Sequence, residues 1–223
     1  MNGLDFTLHD QTLTALPSGA LYHAAARILC VSDLHFGKSD RIARRSGQML
    51  PPYETQATLD KLQTDIDATN PGTVICLGDS FDDLAAAGSL TDDTKLWLLR
   101  LQAGRRWIWV EGNHDAGPVD LGGEHLASVN IGGLFWRHIA ESGAVAEVSG
   151  HYHPKLVLPG NPARACFLYD TQRVILPAYG AYTGGLHCTA PMLQALFQRP
   201  AYAILTGKTA LLAPMPQDRH APS

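Results

Sequence analysis

The first half of the chain contains three short unbroken runs of apolar residues, and each run ends in polar side chains. Such runs are typical of strands buried on both faces, as in a parallel sheet. Between them, apolar residues recur at helical spacing and predict helices over residues 53–68 and 92–103. The alternation of strand, polar loop and helix predicts an α/β fold whose polar loops share one edge of a sheet. The three predicted strands are residues 27–32, 73–77 and 107–110.

The other segments predict shorter strands, and we find no internal repeat and no linker. Residues 3–23 alternate weakly around Pro17-Ser18-Gly19, which predicts a pair of strands joined by a turn. The Pro-rich, polar segment 214–223 predicts a disordered tail, so we expect one domain over residues 1–213. The further predicted strands are 126–131, 133–138, 145–149, 165–169, 173–176 and a strand-like piece around 203–212.

Composition narrows the class of protein. At 223 residues the chain can bury the core of one domain, and its net charge of −4 lacks the basic excess of a general nucleic-acid coat. No apolar stretch is long enough for a membrane span. Asp5 and Asp10 precede the first basic residue, Arg27, which does not fit a secretory signal. The cysteines form no CxxC pair, so we expect reduced thiols in a cytoplasmic protein.

Four polar motifs carry the candidate chemistry. Each is weak alone, since Asp-x-His should occur about once by chance in such a chain and Asp79 alone could be a helix N-cap. Their shared order and their placement after strands argue against coincidence. Carboxylates and imidazoles bind Mn, Fe and Zn, and a pair of such ions can clamp a displacement at phosphorus. The motifs are DLH at 33–35, GDSFD at 78–82, GNHD at 112–115 and GHYH at 150–153.

In this order and spacing, the motifs resemble the signature of the calcineurin-like metallophosphoesterase superfamily. The resemblance implies a four-layer α/β/β/α sandwich, with two sheets face to face and helices outside, and a metal-dependent phosphoesterase activity. It implies two divalent metal ions, bridged by Asp79. The ligands implied for the first ion are Asp33, His35, Asp79 and His153, and those for the second are Asp79, Asn113, His151 and one further histidine.

The further histidine has two candidates. His138 ends the predicted apolar strand LFWRH, whereas His125 follows two glycines in a predicted loop. Placement at a strand end favours His138. The same resemblance implies that His114 acts as general acid or stabilises the transition state, and that Asp115 orients His114.

A narrower resemblance covers almost the whole chain. DLHFGK at 33–38, LGDSF at 77–81, GHYHP at 150–154 and LPAYGAYTGGL at 176–186 resemble the ligase-associated DNA-damage-response endonucleases, which are bacterial phosphodiesterases. This implies Mn as the metal, single-stranded or damaged DNA as substrate, and a DNA ligase and a helicase as partners in DNA repair. Histidine is common in that branch where Asp82 stands. We do not assign Asp82 as a ligand and expect it to tune a neighbouring histidine.

Substrate contacts are less sharply indicated. Lys38 lies three residues beyond His35 and, with Arg44, is our candidate for contacting substrate phosphate. Arg41 and Arg45 complete the local basic patch and fit a solvated helix face equally well. Tyr179 or Tyr182 could stack on a base, although such tyrosines more often close a core edge. His187 follows the segment LPAYGAYTGGL and could point to the site or sit on the surface.

Two other functions fit the same motifs. A phosphomonoesterase or small-nucleotide phosphodiesterase would use the same metals, and the net charge of −4 favours it over a DNA enzyme. A scaffold of the same fold without catalysis should lack ligands or His114, and every one of these positions is filled.

Overall fold

The first sheet is built from the amino-terminal half of the chain. The structure, a computed structural model, describes residues 2–38, 53–82, 88, 90–115, 117, 120–181 and 183–217. Within these residues the first sheet has seven strands in chain order, the last four of them parallel. They are β1 (Leu4–Leu8), β2 (Gln11–Ala15), β3 (Leu21–His23), β4 (Ile28–Val31), β5 (Thr73–Leu77), β6 (Arg106–Val110) and β7 (Glu124–Leu126).

The three apolar runs form β4, β5 and β6, as their pattern predicts. The predicted helices lie between these strands, α1 (Glu54–Thr69) between β4 and β5 and α2 (Asp92–Gln102) between β5 and β6. The segment before them differs from expectation, because it forms three strands and not two. A second turn at His9 and Asp10 separates β1 from β2, with φ of 45° and 65°. Asp10 is a common turn residue, but the turn lacks glycine and proline, which are the strongest turn signals.

The second sheet holds the carboxyl-terminal half, in the order β15-β14-β12-β13-β10-β9-β8, with β11 paired to β12. The predicted strand 126–131 is split, since β7 ends at Leu126 in the first sheet and β8 begins at Ser128 in the second. The strands are β8 (Ser128–Ile131), β9 (Leu134–Arg137), β10 (Glu147–Ser149), β11 (Lys155–Leu156), β12 (Arg164–Tyr169), β13 (Arg173–Ile175), β14 (Tyr202–Leu205) and β15 (Leu211–Pro214).

The two sheets pack face to face around one core, which confirms the four-layer sandwich. Ile75 and Ile108 from the first sheet meet Trp136 and Phe167 from the second in a single buried cluster. The helices α1 and α2 cover the outer face of the first sheet. The outer face of the second sheet is covered by loops and by the short helix α3 (Pro191–Gln194), so this fourth layer is thin among the described residues.

The end of the described chain departs from the predicted tail. Pro214 ends β15, and Met215 is buried and hydrogen-bonds through its backbone N–H to Ala201 O at 3.0 Å. Packing therefore continues past residue 213, while residues 218–223 lie outside the described residues. No helix in the described part of the chain is long and apolar enough to cross a membrane. Cys30, Cys76, Cys166 and Cys188 are buried free thiols.

Candidate metal centre and active site

The four motifs meet where the carboxyl ends of strands from both sheets converge. Asp33, Asp79 and Asn113 follow β4, β5 and β6, while His138 and His151 follow β9 and β10. Parallel strands end at one edge of their sheet, which brings residues far apart in sequence together. The packing of the two sheets then closes the two edges around one site.

One cluster consists of Asp33, His35 and His153, whose ligand atoms lie within 4.8 Å of one another. His153 Nε2 lies 3.0 Å from Asp33 Oδ1. His35 Nε2 is buried and has no hydrogen-bond partner among the described residues, while Asp33 Oδ1 and His153 Nε2 are buried and face only each other. Unsatisfied buried polar atoms are costly, and a bound cation would satisfy all three. The donor set thus fits a divalent metal.

A second cluster consists of Asp79, His138 and His151, again with ligand atoms within 4.8 Å of one another. His138 Nε2 lies 3.3 Å from Asp79 Oδ2 and 3.1 Å from Asn113 Oδ1. Its other ring nitrogen, Nδ1, lies 3.0 Å from Leu77 O, an acceptor that holds the proton on Nδ1. Burial would lower the pKa of His138, but its contacts with Asp79 and Asp33 raise that pKa, so Nε2 must give up a proton before it can act as a ligand. The convergence of Nε2 with two oxygens also fits a cation.

The electrostatics keep the carboxylates in the form that binds metals. Burial alone would raise the pKa of Asp33 and Asp79, but their contacts with His153 and His138 respectively outweigh burial, and both pKa values are lowered. Burial lowers the pKa of His151, and the nearby charge of His138 lowers it further. Ionised carboxylates beside a neutral imidazole are what metal binding requires.

Five of the candidate ligands have backbone φ angles in the left-handed region. φ is 55° at Asp33, 49° at His35, 46° at Asp79, 71° at His151 and 46° at His153. Each such residue costs about 1–3 kcal/mol and persists only where the surroundings impose it. This strain is concentrated on residues whose side chains must face one point.

Glycines make the close approach of these loops feasible, and the sequence analysis missed their role. A Cβ on Gly150 would lie 1.8 Å from Ser32 Oγ, and one on Gly112 would lie 2.1 Å from Asp79 N. A Cβ on Gly78 would lie 2.2 Å from His138 Nδ1. The available signal was that one glycine opens each of the last three motifs.

His114 stands beside both clusters. Its backbone N–H donates to Asp79 Oδ1 at 2.9 Å, and its ring centroid lies 5.4 Å from that of His35. Its Nδ1 lies 3.1 Å from Asp82 O. A proton held on Nδ1 by that carbonyl leaves Nε2 as the nitrogen available for proton transfer.

Asp115 makes different contacts from the expected ones to His114. Its carboxylate accepts hydrogen bonds from the backbone N–H groups of Asp79, Ser80, Phe81 and Gly112, at 2.7–3.1 Å. It therefore holds the loop after β5 against the loop after β6. The contact to the ring of His114 comes instead from the backbone of Asp82.

Two of the other sequence candidates, His125 and Tyr179, lie outside the clusters. His125 stacks on Trp109, with ring centroids 6.4 Å apart, whereas His138 lies in the second cluster. Tyr179 is buried and its hydroxyl donates to Asp65 Oδ2 at 2.7 Å, so it belongs to the core under α1. Lys38 is half-buried at the end of the first motif loop. Arg41, Arg44, Arg45 and Tyr182 lie outside the described residues.

Comparison with known proteins adds two similarities. The model of the family described as calcineurin-like phosphoesterase matches residues 26–161. Among solved structures, the chain is similar to the Pseudomonas putida nuclease MPE, with a TM-score of 0.76 and 26% sequence identity. That match covers 96% of this chain and 100% of the nuclease. The comparison with curated proteins found no match.

Proposed function

Because the chain belongs to the calcineurin-like phosphoesterase family, we propose that it is a two-metal phosphodiesterase that cleaves DNA. The observation that carries the proposal is the pair of ligand clusters, one of which contains Asp79, with His114 hydrogen-bonded to Asp79. The similarity to a Pseudomonas putida nuclease supports the choice of a nucleic-acid substrate. The similarity to ligase-associated endonucleases supports single-stranded or damaged DNA, and by association a DNA ligase and helicase as partners in cytoplasmic DNA repair.

In this proposal the ligands of the two clusters belong to two different metal ions. Asp33, His35 and His153 would hold one ion, Asn113, His138 and His151 would hold the other, and Asp79 would contribute to both. When bound, the two ions supply Lewis-acid chemistry for displacement at phosphorus. Carboxylate, amide and imidazole ligands accept Mn, Fe or Zn, and we propose Mn from the family resemblance.

His114 would act as the general acid that donates a proton to the leaving oxygen. Its Nδ1 is held at Asp82 O, so Nε2 can carry the transferred proton. Asp79 Oδ1 fixes the backbone of His114 through the 2.9 Å hydrogen bond, which ties the general acid to the proposed bridging carboxylate. Asp115 holds the loop after β5 in place. Lys38 and Arg44 remain the proposed contacts to substrate phosphate.

One observation favours a second candidate with the same site. The net charge of −4 suits a phosphomonoesterase or a small-nucleotide phosphodiesterase better than an enzyme that must neutralise many DNA phosphates. A scaffold without catalysis is disfavoured because every implied ligand and His114 are present.

The test is turnover of an aryl phosphodiester against the matching monoester, with Mn added. We expect preference for the diester and loss of activity in His114→Ala, while the matched control His125→Ala keeps activity. Single-stranded DNA is assayed next, and its cleavage should fall steeply with salt. Preference for the monoester would support the second candidate. Bound metal without turnover of either ester or of DNA would favour the scaffold.

A further inference from the structure

An open cleft of about 450 Å³ adjoins the second cluster at the seam between the two sheets. Asn113 and His138 form the end of the cleft nearest the proposed metals, and Ser128 begins the strand that follows the crossing from one sheet to the other. A phosphodiester held between the two clusters would therefore have this space beside one of its two ester groups.

The charged groups around the cleft do not suit a second phosphate. Glu111 and Glu141 both line it. The guanidinium of Arg137, which also lines it, is paired with the carboxylate of Glu141 and lies 3.5 Å from the buried Glu147 Oε2. The positive charge of Arg137 is thus matched within the protein, and an additional phosphate would face the remaining carboxylate of the lining, that of Glu111.

The remaining lining suits a flat neutral group that carries hydrogen-bond donors. Ile139 is 44% exposed, which leaves apolar surface open toward the cleft, and Ala127 is exposed beside it. Carboxylates at Glu111 and Glu141 can accept from amino, imino or hydroxyl groups. A nucleoside combines an apolar ring face with donors of this kind, on the base edge and on the sugar.

The outer wall of the cleft is anchored to the second sheet. The backbone N–H of Glu141 donates to Glu147 Oε2 at 2.9 Å. Arg173, which is buried, donates from Nη2 to Glu141 O at 2.9 Å and to Ala144 O at 3.2 Å. The segment is thus held in place before any ligand arrives, which reduces the entropy lost on binding.

We propose that this cleft binds the nucleoside attached to the scissile phosphate on the side of the second cluster. The proposal rests on the phosphodiesterase function above and deepens it. It means that one neutral nucleoside is recognised next to the proposed metals, and that cleavage of DNA is favoured where this nucleoside ends the strand, because a further phosphate on it would face Glu111.

The experiment compares the kcat/KM values of thymidine p-nitrophenyl phosphate, in its 5′ and 3′ forms, with that of methyl p-nitrophenyl phosphate. We expect the enzyme to prefer one nucleoside diester by about tenfold, the size of discrimination that a modest pocket provides. Ala127→Trp places an indole in the cleft and should bring that ratio near one. The matched control Thr171→Trp, on an exposed turn away from the cleft, should keep the ratio.

A second variant addresses the charges. Glu111→Gln should raise kcat/KM for a thymidine diester that carries an added phosphate, relative to the same diester without it.

Binding of thymidine monophosphate, followed by calorimetry, should weaken in Ala127→Trp and not in Thr171→Trp. Circular dichroism confirms that each variant is folded.

The outcomes separate the two proposals. Equal kcat/KM for nucleoside and methyl diesters, or a preference that Ala127→Trp leaves intact, would overturn the nucleoside cleft while phosphodiesterase activity stands. Turnover of neither diester by the metal-loaded protein would overturn the proposed function and the cleft's role together.

Discussion

Asp82 and His35 form a buried pair in which Asp82 Oδ1 lies 3.0 Å from His35 Nδ1. The backbone oxygen of the same residue lies 3.1 Å from His114 Nδ1. One aspartate thus orients a proposed metal ligand with its side chain and the proposed general acid with its backbone. The sequence-based expectation that Asp82 contacts a histidine is met, and the contact reaches two histidines.

Asp82→Asn should weaken metal binding more than it disturbs the fold. A carboxylate that accepts from Nδ1 fixes the tautomer of His35, and loss of such a partner typically costs 10–100-fold in metal affinity. Titration of the apo protein with Mn, followed by electron paramagnetic resonance, measures this directly. Asp60→Asn, at an exposed position of α1, is the control. Unchanged Mn affinity in Asp82→Asn would contradict the orienting role.

Asp115→Ala should destabilise the protein as well as inactivate it. Its carboxylate accepts four backbone N–H groups, and leaving buried donors unpaired costs about 2–4 kcal/mol in the free energy of unfolding. Urea denaturation measures the loss, with Asp120→Ala at an exposed position as control. His114→Ala should instead keep its stability and lose activity. Equal stability of the two variants would refute this division of roles.

Gly150→Ala should damage the first cluster without a change of charge. The added Cβ would meet Ser32 Oγ at 1.8 Å and Asp33 Oδ2 at 2.8 Å, so Asp33 or the loop after β10 must move. A displacement of about 1 Å at a reacting centre costs roughly 100-fold in rate. Steady-state kinetics and Mn titration provide the measurement. Gly184→Ala meets no atom within 4 Å and should behave like the parent.

His23 should make stability depend on pH. It is 1% exposed, both ring nitrogens lack a hydrogen-bond partner within the described part of the chain, and burial lowers its pKa below 6.5. Below pH of about 6.5 the unfolded chain binds a proton that the folded protein resists, so the free energy of unfolding falls as pH decreases.

His23→Leu should therefore lose less stability than the parent between pH 7.5 and 5.5, pH values chosen to span the ordinary histidine pKa of about 6.5. Urea denaturation at three pH values gives the comparison. His187→Leu, at an exposed histidine, should retain the parental slope. A parental slope in His23→Leu would show that His23 does not cause the dependence.

Local pattern was sufficient for the parts of the fold that are buried on both faces. The apolar runs of β4, β5 and β6 and the polar residues that follow them identify the sheet edge that holds Asp33, Asp79 and Asn113. The hydrophobic pattern indicates which residues are buried, but it does not indicate which sheet a strand joins. It therefore predicted one strand where β7 and β8 are separated at Ala127.

Side-chain roles that depend on contacts across the fold were harder to obtain. Asp115 is adjacent to His114 in sequence, yet its carboxylate reaches across to the backbone of residues 79–81. Glu111 and Arg137 lie in no motif and share a cleft only because the two sheets meet there. Family resemblance supplied the ligand set, because spacing alone left His125 and His138 both open.

The division of the site between two sheets has a consequence for biosynthesis. Asp33, His35 and Asp79 belong to loops of the first sheet, whereas His138, His151 and His153 belong to loops of the second. A nascent chain that has completed only the first sheet would offer each of the two proposed ions an incomplete set of ligands. We therefore expect tight metal capture only after His153 has left the ribosome, so that maturation of the enzyme is a late, nearly post-translational event.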